Sequence, residues 1–128
     1  MARIVSVHSF RGGTGKSNLT ANLATLVAQA GHRVGIVDTD IQSPGIHVLF
    51  GLEEARFERS LNDYLRGACS IEEAAYPVDM PDLAGSLSII PSSLNTGEIA
   101  RILRDGYDVA LLNDGFREII RRLSLDYL

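Results

Sequence analysis

The stretch Arg11-Gly-Gly-Thr-Gly-Lys-Ser17 constrains this chain more than any other. Glycines at 12, 13 and 15 keep it out of a regular helix or strand interior. It is nevertheless bounded by two ordered patterns. Ile4, Val5 and Val7 precede it, and their β-branched character predicts a strand over residues 3–8. Leu19, Leu23, Leu26, Val27 and Ala30 follow at helical spacing. They predict a helix from Lys16 that turns one apolar stripe to a sheet and stops at Gly31. A second short strand is expected at 34–37, ending in Asp38. Strand, loop, helix and strand in this order form a βαβ unit with parallel strands.

The loop has a specific chemistry. Backbone N–H groups at a helix start supply donors and a positive dipole end for phosphate oxygens. Gly12, Gly13 and Gly15 let the backbone approach closely, and Arg11 and Thr14 belong to the same cradle. Lys16 is placed to reach β- and γ-phosphate oxygens, and the Ser17 hydroxyl to bind Mg²⁺. The amides of Ser17 and Asn18 would face the α- and β-phosphates. The strict pattern G-x-x-x-x-G-K-[ST] asks for glycine at position 10, where this chain has Phe10. That departure leaves two alternatives. One is a flexible basic turn. The other is a dinucleotide-binding βαβ unit, with Asp38 as the ribose-binding acid but Asn18 in place of the third glycine. Asp38 and Asp40 taken alone read as loop or cap residues. Behind a phosphate loop they gain a role, because strand ends in parallel α/β sheets converge on the ligand crevice.

The rest of the chain continues the α/β pattern. A helix is expected at 59–66. A capping box from Ser70 to Glu73 opens a short helix that Pro77 ends, and 77–81 reads as a surface turn. A third strand at 87–90 stops at Pro91, and Thr96 caps a helix over 97–104. Residues 108–123 read as helix with Ile119, Ile120 and Leu123 inward, against a competing strand at 109–112. The expected fold is one α/β domain over 1–128, a mainly parallel sheet flanked by helices in three layers.

Composition narrows the function classes. A hydrophobic share of 45% and a charged share of 22% suit a soluble globular domain. A net charge of −4 does not suit nucleic-acid binding by bulk charge, and DNA or membrane contact has no support in this stretch. No apolar run reaches membrane-spanning length, and the apolar N-terminal stretch is too short for a signal peptide, so the cytoplasm is the expected location. Cys69, the single cysteine, excludes an internal disulfide and reads as a small buried apolar residue. His8, His32 and His47 lack metal-ligand spacing, and His8 is expected under the phosphates. Arg121 and Arg122 read as the outer side of a helix.

Residues 11–17 resemble the deviant Walker A motif of the MinD/ParA ATPases, usually K-G-G-x-G-K-[ST]. The resemblance continues through Ala21-Asn-Leu-Ala24, residues 31–40, Ser43-Pro-Gly45, Leu61-Asn-Asp-Tyr-Leu-Arg-Gly67 and Ile89-Ile-Pro-Ser92. It implies a P-loop NTPase-like fold and an ATP-dependent switch that dimerises with nucleotide at the interface. Such switches position, partition or deliver a cargo, which the sequence leaves unidentified. It further implies ATP and Mg²⁺ as cofactors and Lys16 on the β/γ-phosphates. Ser17 would be on the metal, Asp38 would support the metal through water, and Asp40 would orient the attacking water. Residues 41–47 would be the first switch segment. The family's signature lysine falls at Arg11, which keeps the charge that reaches a partner's phosphates while changing its geometry.

The same resemblance calls for a further apolar strand ending in the Walker B aspartate. Leu125-Asp-Tyr-Leu128 looks like its opening, which makes the chain an N-terminal half. The alternative puts Walker B at 107–114 with Asp114 as the acid. ATP hydrolysis is then expected of a full-length domain rather than of this stretch. A non-catalytic nucleotide-binding or interaction fragment is the second function hypothesis, and an NAD-type domain the third.

Overall fold

The computed structural model describes residues 1–8, 15–40, 44–53 and 57–128. Helix α1 (Lys16–Gln29) and strand β1 (Arg33–Val37) stand where the βαβ pattern puts them. The helix closes at Ala30 and Gly31, whose amides donate to the carbonyls of Leu26 and Ala28 at 3.1 and 3.0 Å. A short turn α2 (Ile46–Leu49) and helix α3 (Leu61–Leu65) follow. Then come a 3₁₀ turn at Glu72–Ala74, β2 (Tyr76–Pro77), β3 (Ser86–Ile90), α4 (Thr96–Asp105) and α5 (Val109–Leu123).

The three strands lie in the order β1-β3-β2. Strands β1 and β3 are parallel, with Val34 opposite Leu87 and Val37 opposite Ile90, and β2 runs antiparallel to β3. Alternation divides the sheet into two faces. Val34, Ile36, Leu87 and Ile89 pack with Ala24 and Ala28 of α1. On the other face Ile90 joins Leu61, Tyr64 and Leu65 of α3 and Leu112 and Ile119 of α5, together with Leu125. The expected three layers are present, and the sheet is mainly parallel with one antiparallel edge.

Several expectations need correction. Residues 3–8 do not form a strand. Their ladder contact is a bridge from Arg3 to Tyr127, and Tyr127 bridges Val34 as well, both parallel. Residues 126–128 therefore lie between the N-terminal segment and β1. Arg3 N–H donates to Asp126 O, Val5 N–H to Leu128 O and Gly35 N–H to Tyr127 O, at 2.9, 2.8 and 2.9 Å. The first segment and β1 of the βαβ pattern therefore run parallel with residues 126–128 between them.

The inner face of α1 is also different. Ala21, Ala24 and Ala28 are buried against the sheet, whereas Leu19, Leu23 and Leu26 are exposed. Both sets recur at helical spacing, and the small side chains win because they let the helix lie close to the strands.

The helix expected at 59–66 is shorter, with Ser60 and Asp63 forming its capping box. Pro77 belongs to the edge strand β2 rather than to a turn, a position that tolerates its missing N–H. Asn95, not Thr96, caps α4, its Oδ1 accepting from the amides of Gly97 and Glu98 at 2.9 and 3.1 Å. Asp108 caps α5 in the same way, which removes the strand alternative at 109–112. Asp114 then sits exposed on α5, 3.4 Å from Arg117, and does not end a strand as a Walker B acid would. Ile119, Ile120 and Leu123 face inward as expected, and Cys69 packs partly buried against the same core.

Candidate functional site

Helix α1 begins at Gly15, whose φ of 85° is a left-handed conformation that favours glycine. The first intrahelical bond runs from Leu19 N–H to Gly15 O at 2.8 Å. The amides of Lys16, Ser17 and Asn18 precede that bond and have no partner one turn earlier in the helix. No side chain caps this end and no acid stands in its first turn among the described residues. An open, positive helix end of this kind accepts an anion.

Strand β1 brings the opposing wall. Asp38 N–H donates to Ile90 O at 3.0 Å, extending the β1–β3 ladder by one residue and fixing Asp38 at the strand end. The Asp38 carboxylate is 7% exposed and is turned into its own loop. Its Oδ1 accepts from Asp40 N–H at 3.0 Å, and its Oδ2 accepts from Gly45 and Ile46 N–H at 3.1 and 3.4 Å. Burial raises its pKa above the usual carboxylate value; those three amides pull it down, and the charge of Asp40 adds to the rise. Ser92 Oγ–H donates to Asp38 O and ties this corner to the segment after β3. Ser93 N–H is held by Asn62 Oδ1 at 2.8 Å.

The two walls enclose a cleft of about 230 Å³, lined by Lys16, Ser17 and Thr20 on one side and Asp38, Thr39 and Asp40 on the other, with His8 at its rim. Lys16 Nζ lies 3.7 Å from Asp40 Oδ2 across it. Four of the residues singled out in the sequence, Lys16, Ser17, Asp38 and Asp40, therefore converge, and His8 lines the same cleft. Asn18 is exposed at the helix start. Arg11, Gly12, Gly13 and Thr14 lie outside the described residues, as does the 41–43 part of the expected switch segment. Thr20, Thr39 and Ser92 have no role assigned from the sequence, although Thr39 and Ser92 lie in stretches that carry the resemblance. Thr20, one turn after Lys16 and bonded through Oγ1 to Lys16 O at 2.8 Å, was the most accessible of these to periodicity.

The residues suit Mg²⁺ in the form that ion prefers, with few protein ligands and retained water. Ser17 lines the cleft, while the Asp38 oxygens are engaged by amides and fit a contact through water. No group of three or more His, Cys, Asp or Glu side chains makes an all-protein metal cage among the described residues. A larger, mainly apolar cleft of about 460 Å³ adjoins the first, lined among others by Ile4, Val5, Val7, Gly35, Val37 and Leu128. No helix among the described residues is long and apolar enough to cross a membrane.

Comparison with known proteins agrees with this geometry. Residues 1–83 match the ParA family, described as NUBPL iron-transfer P-loop NTPase. A septum site-determining protein MinD of Guillardia theta is 42% identical over 74 residues, 58% of this chain and 27% of that protein. In the solved MinC:MinD cell division protein complex of Aquifex aeolicus, one chain is similar at a TM-score of 0.75 and 27% identity, covering 98% of this chain and 45% of that one. Cobyrinic acid a,c-diamide synthase of Mycobacterium smegmatis, solved with an ATP analog and magnesium, shares the fold at a TM-score of 0.79 and 20% identity, covering 99% of this chain and 49% of that one. The chain spans less than half the length of each of these proteins. The match displaces the dinucleotide-binding alternative, which Asn18 in place of the third glycine already disfavoured. By its matched residues the chain belongs to the ParA family of P-loop NTPases.

Proposed function

We propose that this chain binds ATP with Mg²⁺ and serves as the nucleotide-binding part of a cytoplasmic, dimerising ATPase switch. The observation that supports this reading is the convergence of Lys16, Ser17, Asp38 and Asp40 at the open start of α1. The amides of Ser17 and Asn18 receive phosphate oxygens, and the Lys16 ammonium neutralises the β- and γ-phosphates. Ser17 and, through water, Asp38 hold the cation, which when bound offsets the charge between those phosphates. Asp40 orients the water that attacks the γ-phosphorus, and Arg11 reaches the phosphates of a second copy. The carboxylates lining the cleft, among the described residues, are Asp38 and Asp40. The second reading is a module that binds nucleotide without turning it over.

Calorimetry and a phosphate-release assay with MgATP, run on the wild type and Lys16→Ala, separate the readings. Wild-type binding weakened at least tenfold by Lys16→Ala is expected. Turnover accompanied by ATP-dependent dimerisation supports the switch, and binding without turnover the second reading. ATP affinity indifferent to Lys16 overturns both.

A further inference from the structure

Lys16 and Asp40 meet across the cleft, and the backbone around Asp40 sets that meeting up. Asp40 is placed by its own backbone, since its amide is held on Asp38 Oδ1 at 3.0 Å. The other oxygen of that buried carboxylate holds the amides of Gly45 and Ile46. One acid thus anchors the chain on both sides of residues 41–43. From that anchored position the Asp40 side chain, 38% exposed, comes within 3.7 Å of the Lys16 ammonium, 28% exposed. The same ammonium is the cation that a bound phosphate needs. Carboxylate and phosphate oxygens are both anionic acceptors, and both claim the one Lys16 ammonium.

We propose that Asp40 is an internal competitor for phosphate at Lys16, so that nucleotide entry must displace this carboxylate and the pair sets nucleotide affinity. The inference rests on the nucleotide-binding reading above. Partly exposed ion pairs of this kind change an equilibrium by up to about fivefold, so the effect is a tuning of affinity.

Affinity for ADP in EDTA, which removes the cation from the comparison, tests it across wild type, Asp40→Asn, Lys16→Met and the double variant. Asp40→Asn is expected to tighten ADP about threefold to fivefold in the wild-type background, and to lose most of that gain beside Lys16→Met. An equal gain in both backgrounds is plain charge repulsion and overturns the proposal, as does no gain at all. A second readout needs no nucleotide: amine acylation of Lys16, followed by mass spectrometry, is expected to run about threefold faster in Asp40→Asn. Equal rates overturn the competitor even if ADP binds. Failure of ADP to bind the wild type, with faster acylation in Asp40→Asn, instead overturns the nucleotide reading and leaves the pair standing.

Discussion

Residues 4–7 and 34–37 carry nearly the same apolar, β-branched signal, yet they end in different states. Ile36 is 4% exposed in a strand paired with β3, whereas Ile4 is 54% exposed in a segment tied down by a bridge and a few amide bonds. The difference lies in what covers each. The β1–β3 region has α1 on one face and α3 and α5 near the other, while the N-terminal segment borders the larger apolar cleft. Strand propensity is satisfied only where neighbours supply ladder partners and two covered faces.

The strongest blow to the covered side should come from Gly85→Ala. A Cβ there would lie 2.0 Å from the His32 carbonyl oxygen and 2.8 Å from that of Ala28, both backbone atoms that cannot swing away. A loss of more than about 3 kcal/mol is expected in urea unfolding. A small loss would mean the junction of α1, β1 and β3 is slack. Next, Ile36→Ala should cost about 3 kcal/mol and Ile4→Ala less than about 0.5 kcal/mol. Equal costs would erase the contrast between the two regions. The smallest effect belongs to Leu26→Lys, at a position 63% exposed on α1. A change within about 0.5 kcal/mol is expected, and a loss of several would restore the leucine stripe as the buried face.

Much of the site was legible because its residues are tied to backbone events. Gly15 marks the helix start, Lys16 and Ser17 follow it, and Asp38 ends an apolar strand, so sequence order alone brings them to one crevice. The burial of Asp38 was not legible, since it depends on amides of Gly45 and Ile46 and on Ser92 from beyond β3. In α1 the pattern offered two stripes, of leucine and of alanine, and only packing distance chooses between them. The state of residues 3–8 was hidden for another reason: their partners, residues 126–128, lie far away in sequence. At residues 77 and 95 local chemistry was ambiguous, with Pro77 fitting a turn or an edge strand and Asn95 competing with Thr96 for the cap.

That pairing of residues 3–5 with 126–128 has a consequence for assembly in time. The amides of Arg3 and Val5 bond to carbonyls of Asp126 and Leu128, so closing this contact joins segments that are very distant in sequence. Such closures carry the largest entropic cost and form late. On the ribosome, α1, β1 and β3 can associate while the first residues wait for 126–128 to emerge. The side of the larger cleft lined by Ile4, Val5 and Val7 is then finished last, and until that moment these apolar side chains stay open to water.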